Sequence, residues 1–239
     1  QPEFFSCTYG AGGSTRDRTL NTVLQLDGEI KISTAPHLSC VGDTKADLRE
    51  LLQLYQEAGI KRIVALRGDL PSGMGMANGE LRYANELVEF IRKETGDHFY
   101  IEVAAYPEMH PQAHDFEADL HNFARKVHAG ADSAITQYFF NADCYFYFVD
   151  RVRKLGIDIP IVPGIMPITN YSKLARFSDA CGAELPRWVR KQLEAYGDDT
   201  ASIQAFGEEV ITNMCERLLT GGAPGLHFYT LNQAEPSLA

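Results

Sequence analysis

No stretch of the 239-residue sequence approaches the roughly 18 uninterrupted apolar residues that a membrane-spanning helix requires, and no basic-then-apolar leader opens it. Membrane insertion and secretion therefore lack support, and the expected location is cytoplasmic. Positive charge is in short supply, with 22 Lys and Arg against 32 Asp and Glu and a formal net charge of −10. Such a chain repels a long anionic polymer on average, so nucleic acid is not an expected partner, although a local positive pocket for a phosphate is compatible with that balance. Cysteine is sparse: Cys7, Cys40, Cys144, Cys181 and Cys215 are odd in number, far apart and never in a C-x-x-C pair, which argues against a disulfide framework and a zinc knuckle. There is no H-E-x-x-H, and His37 and His110 lie too far apart to read as a ligand pair, so no metal is expected.

What is present is the balance of a globular protein, 45% hydrophobic and 23% charged residues. Short β-branched or aromatic runs alternate with longer stretches of helical period, each switch marked by Gly, Pro or a capping residue. The runs are Phe4 to Tyr9, Ile32 to Leu38, Arg62 to Leu66, Phe99 to Tyr106, Ala134 to Phe140, Ile159 to Ile165 and Leu226 to Leu231. Leu48, Leu51, Leu52 and Tyr55 fall at i, i+3, i+4, i+7 behind a Thr44-x-x-Asp47 capping signal and before Gly59, which predicts an amphipathic helix. Ala84, Leu87, Val88 and Ile91 before Gly96 repeat the pattern, as do Phe116, Leu120, Phe123 and Val127 before Gly130, and Phe148, Val152 and Leu155 before Gly156.

Continuously apolar strands separated by single helices imply an α/β fold with a parallel sheet. Nearly every run ends in polar or aromatic groups, and a (β/α)8 TIM-type barrel brings all such ends to one mouth, whereas an open sheet gathers them mainly at one switch point. The barrel is therefore favoured, with residues 1–239 read as one domain. Only seven strands are counted, so the barrel is expected to lack its first strand and last helix in this sequence.

Four constellations carry possible chemistry. The segment Thr8-Tyr9-Gly10-Ala11-Gly12-Gly13-Ser14-Thr15 fails the dinucleotide fingerprint at Thr15; it is either a loop or a set of amides facing a phosphate. Arg67-Gly68-Asp69 at a strand end is either a surface turn or a charge and a planar fork offered to a ligand. Asp119, Asn122 and Lys126, with Arg125 alongside, form a helical stripe that is either solvated or able to grip hydroxyls and phosphates. His37 and His110 are either structural or ligand-facing.

Taken together, Thr8-Tyr9-Gly10-Ala11, Ala35-Pro36-His37-Leu38, Ala65-Leu66-Arg67-Gly68-Asp69, Ala104-Ala105-Tyr106-Pro107-Glu108, Ile135-Thr136-Gln137-Tyr138-Phe139-Phe140, Pro163-Gly164-Ile165-Met166-Pro167 and His227-Phe228-Tyr229-Thr230-Leu231-Asn232 resemble, in order, the methylenetetrahydrofolate reductases of the bacterial single-domain type. The resemblance implies a β/α barrel holding FAD, which takes a hydride from NADH or NADPH and passes it to 5,10-methylenetetrahydrofolate by a ping-pong route, in one-carbon and methionine metabolism. It implies flavin contacts at Tyr9, Ala11, His37, Arg67, Gly68, Asp69, Tyr83, Ala84, Tyr106, His110 and Ala113. Asp119, Asn122, Arg125 and Lys126 would then hold the ribityl and phosphate portions. Asp69 resembles a catalytic carboxylate beside the electron-rich end of the flavin. Gln137 resembles a residue shared by pterin and nicotinamide, Thr8 a nicotinamide contact, Phe177 an adenine-stacking ring and Tyr229 a folate contact. A homo-oligomer is also implied.

Two departures stand out. The family's first strand ends in a general-acid glutamate followed by aromatic and proline residues; no such segment occurs here, so that group is expected to lie outside the given sequence and the 239 residues are not expected to complete the folate half-reaction alone. Gln233 stands where an arginine often follows Leu-Asn, which bears on the folate tail. The competing readings are a non-catalytic flavin-binding barrel subunit and another flavin barrel oxidoreductase, such as a proline dehydrogenase-like enzyme.

Overall fold

A computed structural model describes residues 2–8, 16–30, 32–68 and 79–238. They fall into two compact units that interleave along the chain: the first takes Gln1–Ala104 and Arg125–Ser133, the second Ala105–Ala124 and Ala134–Ala239.

In the first unit the chain runs β1 (Phe4–Cys7), α1 (Arg16–Ile30), β2 (Ser33–Ser39), α2 (Lys45–Glu57), β3 (Arg62–Leu66), α3 (Ala84–Thr95) and β4 (Tyr100–Ala105). The strands lie in sequence order and pair in parallel, Phe4 opposite Ser33, His37 opposite Val64 and Arg62 opposite Tyr100. Helical crossovers make this arrangement natural, and covering the strands explains why Ile63, Val64 and Ala65 are all buried in succession. The expected capping box is formed, with Thr44 accepting from the Asp47 N–H and the Asp47 carboxylate accepting from the Thr44 N–H. Leu48, Leu51, Leu52 and Tyr55 form the buried face of α2. Gly59 follows at φ 80°, a conformation that favours glycine.

An ion pair sits inside this unit. Glu102 on β4 is 1% exposed and pairs with Arg62, whose guanidinium also reaches Glu3 at 2.8 Å and lies 4.4 Å from the Phe4 ring centre and 4.6 Å from that of Tyr100. Burial raises the Glu102 pKa even against this partner.

The helix α4 (Phe116–His128) leads towards β5 (Ser133–Thr136), and the second unit continues with α5 (Ala142–Lys154), β6 (Ile161–Val162), β7 (Gly164–Ile165), α6 (Tyr171–Cys181), α7 (Arg187–Tyr196), α8 (Thr200–Thr220), β8 (His227–Phe228) and α9 (Glu235–Leu238). Three differences from the sequence-based expectation have physical causes. The run Ala134 to Phe140 is a strand only as far as Thr136; beyond it Tyr138, Phe139 and Phe140 bury their rings without ladder pairing. The run Ile159 to Ile165 is not one strand but two, broken at Pro163, which has no N–H to give to a ladder. On one side of the proline β6 pairs with β5, and on the other β7 pairs with β8. Leu155, placed on the apolar face of α5, is 39% exposed and serves as its C-cap, while Phe148 and Val152 are buried as expected. The helices α6 to α8 lie outside the helical periods legible in the sequence.

Candidate functional site

In the first unit His37, Arg67 and Gly68 lie near the ends of β2 and β3. His37 is half-buried on β2. Two residues on, the Ser39 hydroxyl donates to the Arg67 carbonyl at 2.9 Å, and the Val41 N–H reaches the same carbonyl at 3.0 Å. The chain turns away at Gly68, with φ 86°; a Cβ there would lie 1.9 Å from the Ser39 Oγ. Arg67 donates back through Nε to the Gly68 carbonyl at 3.2 Å. This corner therefore requires glycine twice over, for its left-handed backbone and for the hydroxyl that fills the space a side chain would take. Asp69, Tyr9 and Ala11 lie outside the described residues. Thr8 is exposed, and its carbonyl accepts from the Thr19 hydroxyl at 3.1 Å. Tyr83 precedes α3 with its ring 59% exposed, and Ala84 opens that helix. At the far end of α4 Arg125 is exposed, whereas the Lys126 ammonium donates to the Ala104 carbonyl at 2.5 Å.

In the second unit a loop after β4 carries Tyr106, His110 and Ala113. It is folded tightly: the Met109 N–H reaches the Tyr106 carbonyl at 3.2 Å and the Ala113 N–H the His110 carbonyl at 2.9 Å. Met109 itself has φ 85°, uncommon for a side chain of its size. The Asp119 carboxylate accepts the His110 N–H at 2.8 Å, so this helical carboxylate fixes the loop. The His110 ring meets Tyr106 edge-on at 4.5 Å. Its Nδ1 accepts from the Gln112 N–H at 3.0 Å, which in the neutral imidazole leaves the proton on Nε2 as a donor. Asn122 is exposed one turn along from Asp119. Glu108 accepts from the Glu184 N–H at 2.9 Å, and burial raises its pKa.

The remaining candidates lie after β5, on α6 and after β8. Gln137 is half-buried, with its N–H donating to the Ala105 carbonyl at 2.8 Å. The neighbouring Tyr138 is buried, its hydroxyl 3.2 Å from the Ser178 hydroxyl and 3.3 Å from the Cys181 sulfur. Tyr229 donates its hydroxyl to the Thr136 carbonyl at 2.9 Å, and burial pushes its phenol well above the ordinary range. The adjacent His227 is held by burial to a pKa of about 4, so its ring is neutral. Phe177 shows 45% of its surface on α6, an exposed ring rather than a core one. Gln233 is exposed after a turn in which Leu231 and Asn232 both take positive φ. The sequence reading missed two partners of this group, Thr136 and Gly164. The signal available was the Pro163-Gly164 pair inside an apolar run.

Among the described residues no group of three or more His, Cys, Asp or Glu side chains is placed to hold a metal, and no helix is long and apolar enough to cross a membrane.

Comparison with known proteins bears directly on these residues. The chain is 42% identical over 239 residues to the 5,10-methylenetetrahydrofolate reductase of Escherichia coli, covering 100% of this chain and 79% of that protein. The enzyme of the same name from Buchnera aphidicola of Acyrthosiphon pisum is 40% identical over 235 residues, 98% of this chain and 79% of that one. Methylenetetrahydrofolate reductase (NADH) 1 of Arabidopsis thaliana is 37% identical over 243 residues, 97% of this chain and 41% of the plant protein. Among solved structures, an uncharacterized Clostridium thermocellum protein, described as binding two copies of 5-methyl-5,6,7,8-tetrahydrofolic acid, superposes with a TM-score of 0.60 at 14% identity. That likeness covers 94% of this chain and 86% of the other and establishes shared fold alone. Residues 1–239 match the methylenetetrahydrofolate reductase family from end to end, and the chain belongs to that family of oxidoreductases.

Proposed function

We propose that this protein reduces 5,10-methylenetetrahydrofolate to 5-methyltetrahydrofolate, using FAD and NADH or NADPH in a ping-pong cycle, on a fold of the (β/α)8 barrel type. The observation that carries the reading is the end-to-end family match, at about 40% identity to enzymes of that name. A homo-oligomer and a cytoplasmic setting go with it as expectations.

The residues present fit a flavin dinucleotide by their chemistry. Arg125 and Lys126 supply cations for a diphosphate from the last turn of α4, where they also oppose the negative end of the helix dipole. Asp119 and Asn122, one turn apart, are of the type that satisfies ribityl hydroxyls. Tyr106 and His110 present an aromatic edge with a ring N–H donor. When bound, FAD would supply a two-electron carrier able to accept and return a hydride.

The protein's own groups then divide the work. Asp69 supplies a negative charge that favours the cationic form of the folate as its bridge opens. Gln137 offers one amide to the pterin and the nicotinamide in turn, which is what a single site serving two half-reactions requires. Phe177 offers its exposed face to the adenine of the dinucleotide. Thr8 would touch the nicotinamide, and Tyr229 and Gln233 the folate.

The test is direct. Purified full-length protein should be yellow, with flavin absorbance that survives desalting. A colourless preparation that takes up no added FAD would overturn the cofactor assignment and the contact residues with it.

A further inference from the structure

The peptide between Thr136 and Gln137 is held at both of its polar ends. Its carbonyl accepts the Tyr229 hydroxyl at 2.9 Å, and its N–H donates to the Ala105 carbonyl at 2.8 Å. Thr136, wholly buried, is held a third time, because its Oγ1 accepts the Gly164 N–H at 2.8 Å. Gly164 has no alternative: a Cβ there would lie 2.2 Å from the Thr136 carbonyl oxygen and 2.7 Å from the Tyr229 ring. The Tyr229 backbone is fixed in its turn, its N–H donating to the Ile165 carbonyl at 2.8 Å in register with the β7–β8 pairing. The aromatic ring, the glycine and the threonine thus form one closed set of contacts around a single peptide plane, and the Gln137 side chain leaves the backbone directly from it, its Oε1 accepting the Tyr138 N–H at 3.0 Å.

We infer that Tyr229 is a positioning residue for Gln137, acting through the 136–137 peptide, so that its hydroxyl serves both half-reactions and not the folate step alone. The inference rests on the proposed reading of Gln137 as the amide shared by the two substrates. Burial raises the pKa of the phenol, which keeps the hydroxyl a donor at neutral pH. A tyrosine whose hydroxyl pointed only at folate would leave the Thr136 carbonyl without this partner, a costly state for a buried acceptor.

The experiment compares Tyr229→Phe, Gln137→Ala and the double variant in the full-length, FAD-loaded protein. It measures each half-reaction by rapid mixing and the hydrogen exchange of the Gln137 amide. Tyr229→Phe should speed that exchange and weaken both half-reactions in parallel by about three- to tenfold, the worth of one ordinary hydrogen bond. In the Gln137→Ala background it should add nothing, because a residue acting through another is non-additive with it. Thr136→Val, which removes the Gly164 anchor and keeps the shape, should speed the same exchange. Unchanged exchange at Gln137, loss confined to the folate half-reaction, or additivity in the double variant would each overturn the positioning role. If Gln137→Ala leaves both half-reactions intact, the shared-amide reading fails instead, and the exchange measurement alone decides whether Tyr229 holds the peptide.

Discussion

Gly68 in the first unit and Gly164 in the second both stand where a side chain would collide, yet the obstacles differ in kind. At Gly68 the obstacle is the Ser39 hydroxyl, the movable end of a side chain, and the backbone is left-handed at φ 86°. At Gly164 it is a backbone carbonyl together with the Tyr229 ring. The first glycine is needed chiefly for its conformation, so that the chain can turn between β3 and whatever it presents; the second is needed for close approach, so that two strands and an aromatic ring can share one peptide. A corner of the first kind can shift under substitution, whereas a knot of the second kind has nowhere to go.

The largest expected effect lies just beyond the first corner. Asp69→Asn in the full-length protein should slow hydride delivery to folate by about 2.7 to 4 kcal/mol, the usual worth of a charge placed at a reacting centre, and raise the flavin potential while leaving reduction by NADH little harmed. Potentiometry and rapid mixing check this together; an unchanged potential with a wild-type folate rate would reduce the Arg67-Gly68-Asp69 segment to a plain turn.

Next comes an acid sensitivity of the knot. His227 packs against Tyr229 with ring centres 5.4 Å apart, and its pKa is depressed to about 4 from an ordinary 6.5. The unfolded chain takes up a proton on this histidine as pH falls below 6.5, while the folded one does not until about 4. Stability should therefore be lost between those values, by up to about 3 kcal/mol. Chemical denaturation across that window should show a shallower slope in His227→Gln than in the wild type; equal slopes would mean that the imidazole is not held neutral by the fold.

The two glycines can then be set against each other. Gly164→Ala should destabilise by about 1 to 3 kcal/mol, with no recovery on adding Tyr229→Ala, because the carbonyl remains. Gly68→Ala should cost about 1 to 2 kcal/mol from its backbone conformation plus the displaced hydroxyl, and Ser39→Ala should restore the latter share. Thermal unfolding decides: recovery at Gly164 with none at Gly68 would reverse the distinction between them.

The smallest effect is on the exposed ring of the second unit. Phe177→Ala should weaken the dinucleotide half-reaction by about 0.5 to 1.5 kcal/mol and spare the folate half-reaction, which stopped-flow measurements of each would separate. Equal damage to both would show that the ring supports the fold rather than the ligand.

Much of this was legible in the order of residues. The face of α2 with its capping box, the termination of α3 at Gly96, and the parallel runs β1 to β4 follow from period, punctuation and apolar composition, all of which are local. The break at Pro163 is also written in the sequence, but the uniformly apolar residues around it carry the pattern of one continuous strand. The stripe on α4 is legible as a stripe, but its division of labour is not: Lys126 meets the Ala104 carbonyl, and Asp119 holds the His110 N–H. Those partners lie 22 and 9 residues away, beyond the reach of helical spacing.

The sequence by itself determined which residue types recur in which order, and hence the family, the alternation of strand and helix, and the set of side chains available for chemistry. Only the tertiary structure decided that Tyr229 meets a carbonyl 93 residues earlier, and that Gly164 must be bare because of that meeting. Periodicity records which face of an element is buried. It carries no record of which distant peptide a hydroxyl will find, since that depends on strand register and on the space left when neighbouring side chains have packed.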